Sequence, residues 1–70
     1  MNEIRKVTPD ALSQIIDNRQ PLGLFYALEN GAYIGVDNRT GDAWTEAFPN
    51  LRRCKRWLTN SNLTVDGEKL

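Results

Sequence analysis

Arg52, Arg53, Lys55 and Arg56 place four bases within five positions, and no acid occurs between residues 49 and 58. Guanidinium and ammonium groups gathered in this way suit one chemistry, the binding of a phosphate or a carboxylate. The plainer reading is a solvated basic face relieved by acids elsewhere in the chain. Three aromatic residues, Tyr26, Tyr33 and Trp44, point to a second candidate surface. On one face of an open sheet their rings would stack bases or anchor a protein partner, and under a helix they would be core. Catalytic chemistry finds less support. The chain has no histidine and a single cysteine, Cys54, which removes the commonest nitrogen ligand for metals, the usual neutral-pH base and every multi-cysteine zinc pattern. Asp37, Asn38, Thr40, Gly41 and Asp42 concentrate oxygen atoms but lack the alternating ligands and distal glutamate of a calcium loop, so turn chemistry accounts for them. No catalytic, metal or cofactor site can be assembled from these residues, and a non-enzymatic role is expected.

The scale of the chain agrees with that expectation. Seventy residues, 40% hydrophobic and 26% charged, make one small globular domain with no room for a cofactor-binding fold. Nine acids balance nine bases, so there is no overall basic character to favour nucleic acid or an anionic membrane. The balance conceals an asymmetry. Residues 1–48 hold seven acids and four bases, whereas residues 49–58 hold four bases alone. The lone cysteine suits a reducing compartment, and no apolar run has the length of a signal peptide or a membrane span. A soluble, cytoplasmic protein is expected.

The elements that carry these residues can be read from local signals. Thr8-Pro9-Asp10 is a helix start: a capping hydroxyl, a proline where its missing N–H costs nothing, and an acid against the positive end of the dipole. Val7 and Leu12 stand at the two positions of a hydrophobic staple. At 100° per residue Ala11, Leu12, Ile15 and Ile16 share an arc of about 140°, and Pro21 ends the helix near Asn18 or Arg19. Leu22–Leu28 and Ala32–Val36 flank Asn30-Gly31, the pair that favours a type I′ hairpin turn. That turn sets Ala27 opposite Ile34 and Phe25 opposite Val36. A four-residue second loop, 38–41, would then set Val36 opposite Ala43 and Ile34 opposite Thr45. Leu24, Tyr26, Leu28, Tyr33 and Trp44 fall on the other face, with Gly35 between Tyr26 and Trp44 and either ring able to lie over it. The last helix is read over Leu51–Leu58, capped by Asn50, with Leu51, Cys54, Trp57 and Leu58 in an arc of roughly 120°. Cys54 on that stripe reads as core.

The stretch from Tyr33 to Phe48, Tyr-Ile-Gly-Val-Asp-Asn-Arg-Thr-Gly-Asp-Ala-Trp-Thr-Glu-Ala-Phe, followed by a short helix ending in Trp57-Leu58, resembles small uncharacterised proteins of prophages and conjugative elements of Gram-positive bacteria. That resemblance spans about residues 22–59 and implies no particular activity. A fainter similarity runs to three-stranded-sheet DNA-binding domains, the plant ethylene-response-factor domain and the arm-binding domain of transposon integrases. Those domains read DNA with arginine-rich strands, whereas here Arg39 is the only base between residues 22 and 51.

The expected fold is α+β in the order α-β-β-β-α, a three-stranded antiparallel meander packed with two helices. Residues 1–59 form the domain, and residues 60–70 form a polar tail or a short edge strand. The expected role is an accessory or interaction module binding a protein partner. Nucleic acid bound by the basic helix Leu51–Leu58 is the alternative. Oligomeric state is left open.

Overall fold

The computed structural model describes residues 3–64. Their order is β1 (Ile4–Lys6), α1 (Pro9–Asn18), β2 (Leu24–Glu29), β3 (Ala32–Asp37), β4 (Trp44–Phe48) and α2 (Leu51–Thr64). Helix α1 begins as its sequence dictates: Thr8 is extended, and its hydroxyl oxygen accepts the Ala11 N–H at 3.1 Å. It ends at Arg19, which turns left-handed at φ 62° while its N–H donates to the Ile15 carbonyl. Leu12 and Ile15 are buried, and Val7 and Ile16 pack around them.

The hairpin register follows the turn. Glu29 pairs with Ala32, Ala27 with Ile34 and Phe25 with Val36. Asn30 and Gly31 have φ of 53° and 82°, the two positive values that a type I′ turn requires. Gly31 has open space where a side chain would project, so a substitution there meets only backbone strain. Gly31→Val is expected to destabilise the protein by about 1–2 kcal/mol, because a β-branched residue resists the left-handed region. Thermal melting checks this, and an unchanged midpoint would remove the turn from the forces that set the register.

The second connection differs from expectation. Val36 pairs with Thr45 and Ile34 with Ala47, two residues beyond the expected register, and the loop runs from Asn38 to Ala43. A shift of two leaves every side chain on its expected face. The cause is Asn38, which is fully buried: its side-chain amide donates to the Pro21 carbonyl at 2.8 Å and its side-chain oxygen accepts the Ala43 N–H at 3.1 Å. Ala43, at φ 50°, is thereby folded into the core instead of pairing in the sheet. Around it the Asp37 carboxylate accepts from the Arg39 guanidinium at 2.8 Å and 3.0 Å, and the Thr40 hydroxyl donates to Asp42 at 2.8 Å. These oxygens are occupied in shaping the turn.

The sheet has four strands, in the order β1-β2-β3-β4, where three were expected. The additional strand, β1, runs parallel to β2, with Ile4 beside Leu24 and Lys6 beside Tyr26. Parallel neighbours need a crossover, and α1 provides it. The sheet is therefore mixed. Three residues, two of them basic, carry no alternation from which such a strand could be read.

Each helix covers one face of the sheet. On one side Leu12 and Ile15 of α1 pack with Phe25, Ala27, Val36 and Ala43. On the other, Cys54 and Leu58 of α2 pack with Leu24 and Tyr26, joined by Ile4, Tyr33, Phe48, Leu51 and Trp57. The aromatic face is thus closed by α2 rather than open. Gly35 lies beneath that helix. Its lateral neighbours are Tyr26 and Glu46, not Tyr26 and Trp44. A Cβ on Gly35 would come within 3.1 Å of the Cys54 sulfur and 3.3 Å of the Trp57 ring, so the bare backbone sets how closely α2 approaches.

Helix α2 continues past the expected end at Leu58 to Thr64. Asn60, Ser61 and Asn62 are weak helix formers, but no glycine or proline interrupts the run before Gly67. The expected boundary between residues 59 and 60 therefore falls inside a helix. The rest of the expected tail, residues 65–70, lies outside the described residues.

Candidate functional site

Pro49 and Asn50 turn the chain from β4 into α2, and the Asn50 side-chain oxygen accepts the Arg53 N–H at 2.9 Å, capping the helix. The core stripe of α2, Leu51, Cys54, Trp57 and Leu58, directs the intervening positions away from the sheet. Arg52, Arg53, Lys55 and Arg56 are all exposed in consequence. Arg52 and Arg53 stand in the first turn with no acid beside them, the end of the helix where positive charge is least favourable.

The structure gathers three of these four bases. Among the described residues, Asn50, Arg52, Arg53 and Arg56 line an open depression of about 560 Å³. Lys55 projects from the flank of the helix away from Arg53, as the 100° step requires. The ion pairs among the described residues lie elsewhere, between Glu3 and Arg5 at 3.9 Å and between Asp37 and Arg39 at 2.8 Å. No described carboxylate reaches the bases of α2, so the acids of the meander do not neutralise them directly. Capping by Asn50 occupies the Arg53 amide, which leaves the guanidinium groups as the principal donors to an anion.

The aromatic candidates separate. Tyr26 is 8% exposed and lies in the core with Leu24, Cys54 and Leu58. Tyr33 is half-buried, its ring 6.4 Å from that of Tyr26. Only Trp44 remains open, 64% exposed at the start of β4. A stacking surface made of all three rings is therefore absent, because α2 takes the place that bases or a partner would occupy.

Two other side chains of chemical interest are held in structural roles. Burial pushes the Cys54 thiol above its ordinary pKa, so it stays protonated in the core. Hydrogen bonding to Asp37 raises the Arg39 guanidinium above its usual value, and the one base of the central strands and their loop is thereby tied to the turn. As the expected meander order implies, β4 is an edge strand, and its Trp44, Thr45, Glu46 and Ala47 are all exposed.

No helix among the described residues is long and apolar enough to cross a membrane. Comparison of the chain with protein-family models, with curated proteins and with solved structures returns no match.

Proposed function

We propose that this chain is a non-enzymatic interaction module that binds an acidic surface of a protein partner through the arginine face of α2. The observation that carries this reading is the gathering of Arg52, Arg53 and Arg56 around an open depression with no described carboxylate in reach. Arginines in the first turn oppose the helix dipole by about 0.3–1 kcal/mol each, a cost that an anionic partner offsets. A nucleic-acid partner is the second reading, supported by the density of cations on one helix. It is less favoured for two reasons. Four bases make a small electrostatic footprint beside seven acids in residues 1–48. Both sheet faces lie under helices, so sheet-face reading of DNA has no surface here. A free, buried cysteine supports a reducing compartment such as the cytoplasm.

Fluorescence anisotropy with a labelled oligoglutamate peptide and a labelled DNA duplex, each at two salt concentrations, tests the choice. The parent is expected to bind oligoglutamate saturably and to bind duplex only weakly. An Arg52→Glu, Arg53→Glu variant is expected to lose the peptide while melting higher, since acids suit the helix start. Tighter binding of the duplex, with the logarithm of affinity falling at a slope near about −3.6 against the logarithm of salt, would overturn the protein reading. Binding to neither probe would leave the arginine face solvated and without a ligand.

A further inference from the structure

Charge is divided between the two faces of the sheet. Helix α2 brings four bases and no acid to one face, and helix α1 brings two acids, Asp10 and Asp17, and no base to the other. The strands follow the same division. By register Lys6 lies on the α2 side with Tyr26, and Glu29 lies on the α1 side with Phe25 and Ala27. Arg5, also on the α1 side, pairs with Glu3 at 3.9 Å, and the Arg19 guanidinium donates to the Gly41 carbonyl at 3.2 Å. Against the bases of the α2 side stand Glu46 and the Asp37 carboxylate, the latter held by Arg39 at 2.8 Å.

The two helices carry their charges in matching places. Asp10 and Asp17 are two turns apart, about 10.5 Å along the outward side of α1, with exposed Ser13 and Gln14 between them. Arg52, Lys55 and Arg56 occupy the outward side of α2, opposite buried Cys54 and Leu58, with a rise of about 6 Å between the two arginines. Long basic side chains span the difference. An α1 and an α2 laid together by their outward sides therefore bring acids to guanidinium groups. Beside α1, β4 presents only the small exposed Thr45 and Ala47 on that face, which lets a neighbouring molecule come close.

An acidic surface of the kind that α2 fits is thus carried by the chain itself. We propose that a second copy docks its α1 on the α2 of the first, head to tail, with Asp10 and Asp17 meeting Arg52 and Arg56. This rests on the reading of α2 as an acid-binding face and names the partner. The two charged sides lie on opposite faces of the sheet, so a pair of molecules joins one α2 to one α1 and leaves the other two free. The contact is heterologous and continues into an open chain of copies. A net charge of zero leaves no overall repulsion against it. Each exposed ion pair contributes little by itself, so the association belongs to low salt and high protein concentration.

Sedimentation of the full chain over a range of concentrations tests this, with two variants: Asp10→Asn, Asp17→Asn on α1 and Arg52→Gln, Arg56→Gln on α2. All four positions are exposed, so both variants keep the fold. The average mass of the parent is expected to rise with concentration beyond about twice that of the monomer at low salt, as an open chain requires. At about 1 M salt, where charges are screened within about 3 Å, it is expected to return to the monomer. Each variant alone is expected to stay monomeric, and an equimolar mixture is expected to form a one-to-one pair and nothing larger, since only one α2 and one α1 remain competent. A parent that stays monomeric at low salt while binding oligoglutamate would overturn self-docking and leave the acid-binding face of α2 in place. Failure to self-associate together with failure to bind oligoglutamate would overturn both. A parent that stops at a dimer, or variants that associate alone as the parent does, would show a contact through other surfaces and overturn the proposal.

Discussion

Tyr26→Ala is expected to destabilise the protein by about 3–5 kcal/mol, the range for truncating a buried aromatic residue. Its ring is one of the largest in the cluster between the sheet and α2, only 8% exposed, and its removal opens a cavity beneath Cys54 and Leu58, both fully buried. A domain of this size has on the order of 4–10 kcal/mol in total, so this one truncation removes about a third or more of it. Trp44→Ala supplies the contrast. At 64% exposure it is expected to change stability by no more than about 0.5 kcal/mol. Circular dichroism melts of the two variants separate a covered aromatic face from an open one, and a folded Tyr26→Ala variant melting with the parent would show that α2 does not depend on that ring.

Asn38→Ala is expected to cost about 2–5 kcal/mol although no large apolar group is lost. The side chain is fully buried and joins two loops, donating to the Pro21 carbonyl at 2.8 Å and accepting from the Ala43 N–H at 3.1 Å. Each buried group left without its partner costs about 1–3 kcal/mol. The backbone pair between Gly23 and Asn38, at 2.7 Å and 3.1 Å, extends the β2–β3 ladder to the same place, so the two loops are tied at a single residue. Asn38→Asp separates shape from bonding: it keeps the acceptor for Ala43 but sets a second acceptor against the Pro21 carbonyl and places a carboxylate in a fully buried site, so a loss at least as large as that of the alanine variant is expected. Equal melting of all three proteins would show that the loop is held by Asp37 and Arg39 instead.

Much of the fold was legible in the sequence because its signals are local. Thr8-Pro9-Asp10 fixes a helix start through groups within one turn of each other, and Asn30-Gly31 fixes a hairpin register because a two-residue turn leaves no alternative pairing. The exposure of Arg52, Arg53, Lys55 and Arg56 follows from the same kind of rule, since a stripe with Cys54 and Leu58 inward leaves those positions outward.

What depended on distant parts of the chain could be settled only by the tertiary structure. Ile4-Arg5-Lys6 becomes a strand because Leu24, Phe25 and Tyr26 offer an edge some twenty positions away, and nothing within the three residues announces it. Asn38 has the composition of a turn residue, yet its two bonds reach Pro21 and Ala43 and move the β3–β4 register by two. Whether Tyr26, Tyr33 and Trp44 form a surface or a core turned on where α2 lands, and that was decided by the contact of Cys54 and Trp57 with the bare backbone of Gly35. Periodicity determines which residues share a face, because it is a property of one element. What covers that face is a property of two, and the chain specifies it only when both are folded.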